Sequence, residues 1–183
     1  LFIQTEDTPN PNSLKFNPGR SVLTGGEVLA FHKQDDLVSS PFAKRALAIA
    51  GVEAVMLAAD FITVTKGPDV EWYVLKPALI GLMMEHFVNN VPFVVDAKAQ
   101  EEHTETNPII REIREILDTR VRPAVAQDGG DIVFDSFDNG VVYLRMYGAC
   151  SGCPSSTATL KSGIENMLKY YIPEVTEVRQ LEA

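Results

Sequence analysis

Asp138-Asn139-Gly140-Val141-Val142-Tyr143-Leu144-Arg145-Met146-Tyr147-Gly148-Ala149-Cys150-Ser151-Gly152-Cys153-Pro154 decides the fold of the second half of this chain. Val142, Leu144 and Met146 alternate with Tyr143, Arg145 and Tyr147, the period-2 pattern of a strand with one buried face. Asn139-Gly140 just before it is a two-residue hairpin turn. Upstream of that turn, Ile132 and Phe134 alternate with Val133 and Asp135 as the partner strand. After Pro154 the apolar residues Leu160, Ile164, Met167, Leu168 and Tyr171 recur at helical spacing. The only two cysteines, Cys150 and Cys153, therefore fall between an antiparallel hairpin and a helix.

Working outward, Asn107 as N-cap and Pro108 at the first helical position open a helix with Ile109, Ile113, Ile116, Leu117 and Val121 on one face. Gln127-Asp128-Gly129-Gly130 ends it. The overlapping run Asp128-Gly129-Gly130-Asp131 has the look of a phosphate or metal loop, but a helix C-cap with glycine beyond it is the simpler reading. A last strand is expected within residues 175–181, giving the order α-β-β-α-β for residues 107–183. Residues 92–106 are polar, acidic and without periodicity, and read as a linker.

Residues 1–91 contain no cysteine. Short strands are expected at 2–5 and 13–16, joined through Thr8-Pro9-Asn10-Pro11-Asn12. Ser40-Pro41 opens a helix that Gly51 ends. Strands at 52–57 and 61–65 turn at Ala59-Asp60, and a helix over 71–89 carries Leu75, Leu79, Leu82, Met83 and His86 on one face. Pro77 is expected to kink it or mark its true start. The order is β-β-α-β-β-α, so the fold class is α+β with two small domains. Trp72 and the Met83-Met84 pair read as core, and Glu101 and Glu102 as solvated.

The chemistry rests on Cys150 and Cys153. Two thiolates three positions apart grip one metal or iron atom from one side, whereas a tetrahedral zinc or a cubane cluster takes four ligands. A second copy of the chain across a two-fold axis would supply the other pair. Pro154 places Cys153 at a helix start, where the dipole favours thiolate, and Ser151-Gly152 leaves both sulfurs room to turn. Two alternatives stay open. A dithiol/disulfide oxidoreductase also places its C-x-x-C between strand and helix, although normally in a βαβ unit. A structural zinc would need further ligands, and His32, His86 and His103 lie outside this segment.

The net charge of −9 disfavours a nucleic-acid partner, which calls for clustered Lys and Arg. The longest strongly apolar run, residues 78–84, is far short of the roughly 20 residues of a membrane span, so a soluble chain with no membrane partner is expected. A lone C-x-x-C does not form a secreted disulfide framework. The chain begins at Leu1 without Met, so the loss of a leader or of a few residues is expected. No Ser-His-Asp set, Walker loop or G-x-G-x-x-G is present.

Val121-Arg122-Pro123-Ala124, Gln127-Asp128-Gly129-Gly130-Asp131, Gly148-Ala149-Cys150-Ser151-Gly152-Cys153-Pro154-Ser155-Ser156-Thr157 and Leu160-Lys161 resemble the C-terminal domain of NifU and the Nfu proteins. Thr8-Pro9-Asn10-Pro11-Asn12-Ser13-Leu14-Lys15-Phe16 and residues 72–77 resemble the Nfu N-terminal domain. The resemblance implies an iron-sulfur cluster scaffold or carrier rather than an enzyme. It implies a 4Fe-4S cluster held by Cys150 and Cys153 of each chain of a homodimer, received from upstream assembly machinery and delivered to apo iron-sulfur client proteins. A bacterial cytoplasm or a mitochondrial matrix is the expected setting.

Overall fold

The computed structural model describes residues 1–24, 28–95, 106–151 and 154–181, the side chains of 154–156 excepted. The chain divides into two compact units, Leu1–Ala99 and Gln100–Ala183. Among the described residues, no helix is long and apolar enough to cross a membrane.

The first unit is one antiparallel sheet with two helices. Its strands are β1 (Gln4–Asp7), β2 (Ser13–Asn17), β3 (Leu29–His32), β4 (Val52–Leu57) and β5 (Ile62–Lys66), in spatial order β1-β2-β5-β4-β3. The first hairpin pairs Gln4 with Asn17 and Asp7 with Leu14, so its strand is displaced toward the turn from the residues 2–5 expected. β3 was not foreseen in the order β-β-α-β-β-α. It is an edge strand in which only Phe31 is buried, and its pairing with β4 is a backbone matter that leaves little mark on side-chain pattern.

Helix α1 (Pro41–Leu47) starts where Ser40-Pro41 dictates: the Ser40 hydroxyl accepts from the Ala43 N–H at 3.0 Å. It ends before Gly51, with Ala48 as its cap. Helix α2 (Trp72–Val88) buries the five residues expected on one face, Leu75, Leu79, Leu82, Met83 and His86. Met84 corrects the expectation of a buried methionine pair: it is 37% exposed while Met83 is fully buried, because successive helical residues point about 100° apart. Pro77 lies inside the helix rather than at its start. The carbonyl it leaves without an i→i−4 donor belongs to Tyr73, an exposed residue of the first turn, where the loss costs little. The helix ends in a Schellman turn, with Asn90 left-handed at φ 51° and the Val91 N–H donating to the His86 carbonyl at 2.9 Å.

Leu14, Phe16, Val55, Ile62 and Val64 from the sheet meet Phe42, Leu75, Leu79 and Met83 from the helices in one core. Each such burial contributes about 1.5–3 kcal/mol. Phe93 belongs to this core at 6% exposure, its carbonyl accepting from the Ser40 hydroxyl at 2.7 Å. The Val95 N–H donates to the Ser39 carbonyl. Residues 92–95, read as the start of a linker, are thus packed against the first unit. Residues 96–105, with Glu101, Glu102 and His103, lie outside the described residues.

The second unit follows the order α-β-β-α-β. Helices α3 (Pro108–Ile116) and α4 (Arg122–Gln127) are joined without a break by a π turn, Leu117–Val121. Pro123 explains it. The proline donates no N–H, and its ring would collide with the carbonyl of Thr119 four residues back, so the preceding turn widens and the Arg122 N–H reaches the Leu117 carbonyl instead. Strands β6 (Gly130–Asp138) and β7 (Val141–Gly148) form the hairpin, turning on Asn139 at φ 47° and Gly140 at φ 81°, a type I′ turn. A bulge at Asp135 resets the alternation, so Phe137 rather than Ser136 packs on the core. Helix α5 (Pro154–Tyr171) crosses back to β8 (Glu177–Leu181), which lies parallel to β7.

Candidate functional site

The site is built where β7 ends, next to the start of β6. Gly129 follows the C-cap Asp128 in the left-handed region at φ 76°, as the sequence anticipates for a residue that stops a helix. Register then pairs Gly130 with Gly148 and Asp131 with Tyr147. The Ala149 N–H donates to the Gly129 carbonyl at 3.2 Å, and the Ser151 N–H closes a turn onto the Gly148 carbonyl at 3.1 Å. Cys150 sits at the tip of that turn. Its carbonyl accepts from the Thr157 hydroxyl at 2.9 Å, which ties the turn to the first turns of α5.

Cys150 is 7% exposed and packs with Ile132, Val142 and Ile164 in the second core. Its sulfur lies directly over Gly130. A Cβ built there would overlap the Cys150 Sγ and lie 3.0 Å from the Cys150 nitrogen. The Asp128-Gly129-Gly130-Asp131 run therefore does more than cap a helix, because its second glycine forms the floor on which the thiol rests. Sequence reading missed this, since the contact depends on the register of two strands.

Burial pushes the Cys150 thiol up to about 12, with the carboxylates of Asp128 and Asp131 adding to the effect. The helix-start argument for thiolate concerned Cys153, which lies outside the described residues; for Cys150 the direction is the opposite. Asp131 itself is 3% exposed and held by a bidentate pair, Arg122 Nε to Oδ1 and Nη2 to Oδ2, both at 3.0 Å. Arg122 also reaches Asp118 at 3.2 Å. These bonds raise the guanidinium's pKa and lock α4 to the first residues of β6 beside the cysteine.

The chemistry available is that of a buried soft donor. A thiol releases its proton when it ligates iron or zinc. The absence of a Cβ at position 130 is what lets the Cys150 sulfur occupy this place against the start of β6. Among the described residues, no three His, Cys, Asp or Glu side chains come together as a metal site. Of the histidines set aside as ligands, His32 faces Asp35 at 3.4 Å and His86 is buried, both in the first unit.

Fold and site together define a two-domain α+β protein whose second domain places Cys150, the first cysteine of its C-x-x-C sequence, between a hairpin and a helix. Residues 3–90 match the family described as "Scaffold protein Nfu/NifU N terminal", and residues 113–179 match the "NifU-like domain". The chain belongs to the Nfu family of NifU-like proteins. Over 184 residues it is 46% identical to a Drosophila persimilis protein named "NFU1 iron-sulfur cluster scaffold homolog, mitochondrial", covering 99% of this chain and 65% of that one. A relative of the same name from Drosophila ananassae is also 46% identical, over 99% of this chain and 64% of its own length. The chain thus spans about two thirds, at most 65%, of these relatives. A solution structure of a NifU-like protein from Saccharomyces cerevisiae is 27% identical, covers 52% of this chain and 86% of that one, and superposes with a TM-score of 0.49.

Proposed function

We propose that this protein is an iron-sulfur cluster scaffold and carrier, and that its cargo is a 4Fe-4S cluster held by Cys150 and Cys153 of each of two chains. The observation that carries the reading is the Cys150 thiol, buried over Gly130 at the tip of the turn that begins the C-x-x-C. The relatives' name, iron-sulfur cluster scaffold homolog, supports the cargo. Residues 107–183 form the cluster domain in this reading, and residues 1–91 are a separate domain.

The chain's residues divide the work. Gly130 leaves room for the sulfur, Thr157 fixes the Cys150 backbone, and the Arg122–Asp131 pair holds the strand beneath it. Two thiolates satisfy only half of a four-iron cluster's thiolate ligands, so the second pair comes from a second copy and the homodimer closes around the cargo. Delivery is ligand exchange: client thiolates replace one chain's pair and then the other's. No substrate bond is made or broken by a catalytic group, so the protein acts without being an enzyme. The clients are apo iron-sulfur proteins, and upstream assembly machinery loads the carrier. In a eukaryotic cell the setting is the mitochondrial matrix, in keeping with the relatives' name, and in a bacterium the cytoplasm.

A dithiol/disulfide oxidoreductase is the less favoured reading. An attacking thiol is exposed and ionised, whereas Cys150 is 7% exposed and held as the thiol. The test is transfer. Reconstituted protein mixed anaerobically with an apo four-iron hydratase should restore its activity, and Cys150→Ala protein treated identically should not. Equal restoration by both would remove the carrier reading.

A further inference from the structure

The first unit contains a cleft of about 440 Å³ between the loop at residues 20–24 and the end of α2 with the segment that follows it. Val22 and Phe93 are buried in its wall, Phe87 is half-buried, and Arg20 and Asn90 stand exposed at its rim. Buried His86 also lines it, packed against Phe42 and Phe93 with ring centroids 5.4 and 5.2 Å away. Its buried ring nitrogens face the backbone of Val91 and Pro92.

Three features give the cleft a chemical preference. Its volume falls within the range of small-ligand pockets. Its walls offer branched and aromatic side chains, which reward an apolar body of modest length. Among the described residues no aspartate or glutamate lines it, and the formal charge they bring to it is the Arg20 guanidinium. Arg20 forms no ion pair among the described residues. A guanidinium at the mouth of an apolar recess matches a carboxylate on a short apolar tail, because the fork donates two parallel bonds to two oxygens.

We propose that this cleft binds a carboxylate carried on a short apolar body, with Arg20 gripping the carboxylate and Val22, Phe87 and Phe93 enclosing the body. A free carboxylic acid and the C-terminus of a chain ending in an apolar residue present the same chemistry. The site contains no cysteine and is independent of the cluster reading.

Hexanoate titrated into the ¹⁵N-labelled 183-residue chain tests it, with 1-hexanol as the uncharged match. A short peptide ending in leucine, as free acid and as amide, separates the two sources. Saturable amide shifts at residues 20–24 and at Asn90, Val91, Phe93 and Val94 are expected with hexanoate or with the free-acid peptide, whichever is the source. Binding by the hexanol or amide counterpart, and by Arg20→Gln protein, should be about tenfold weaker. Arg20 is exposed, so Arg20→Gln should keep the wild-type spectrum elsewhere. Absence of saturable shifts with both carboxylates, equal binding of hexanol, or unchanged affinity in Arg20→Gln would each overturn the proposal.

Discussion

The sulfur of Cys150 rests on the α-carbon of Gly130, residues brought together by the pairing of Gly130 with Gly148 across the β6–β7 hairpin. The glycine floor and the thiol come from opposite sides of the hairpin. A change at either therefore acts on the folding of the second unit and, on the function proposed above, on the cargo.

Gly130→Ala should destabilise the second unit by about 1–3 kcal/mol, since the added methyl overpacks a site whose neighbours are backbone and sulfur. Urea unfolding of the apo protein, followed by far-ultraviolet circular dichroism, measures it. A variant as stable as wild type that still takes up iron would mean that the recess is not required.

Arg122→Met strands the Asp131 carboxylate, which is 3% exposed, without its bidentate partner. The loss should be about 3 kcal/mol, and Arg122→Met/Asp131→Leu should recover a substantial part of it, because the cost lies mainly in the unpaired charge. The four unfolding midpoints of the double-mutant cycle decide this. A single variant indistinguishable from wild type would contradict the role given to the pair.

His86 makes the first unit sensitive to acid. Burial lowers its pKa below 6.5, with Arg45 acting the same way, while the backbone of Val91 and Pro92 and the Glu85 carboxylate oppose it more weakly. In the window below 6.5 the unfolded chain takes a proton that the folded ring resists, so stability falls as pH drops from about 6.5 toward the folded value and is unaffected above it. Glu85, itself held below 4.5 by Arg45, titrates outside that window. The single tryptophan, Trp72, lies in this unit and reports its unfolding by fluorescence. Urea midpoints between pH 7.5 and 5.5 should decline in wild type, with a smaller decline in His86→Phe; parallel declines would rule His86 out as the cause.

Local signals were the ones the sequence expressed most fully. Ser40-Pro41 and Asn107-Pro108 start their helices because a cap is a contact within three residues. The buried face of α2 follows from helical spacing alone, and Asn139-Gly140 turns because both positions need positive φ. Edge strand β3 was invisible because backbone pairing with β4 holds it and little burial marks it. The π turn was hidden because Pro123 reads equally well as a helix end or a widened turn. At the site, the cysteine motif stood out as composition, but its floor did not: Gly130 and Cys150 are distant in sequence, and only strand register joins them. Asp131 could have been suspected, as an acid opening an apolar strand with Arg122 one helical cap away. The packing of Phe93 was masked by the polar residues that follow it.

The most direct measurement is anaerobic reconstitution of the full chain, followed by iron and sulfide counts per chain and the solution mass of the same sample. The account predicts a dimer with about two irons and two sulfides per chain, and loss of both cluster and dimer in Cys150→Ala. A monomer that binds no iron and instead cycles between dithiol and disulfide would contradict it.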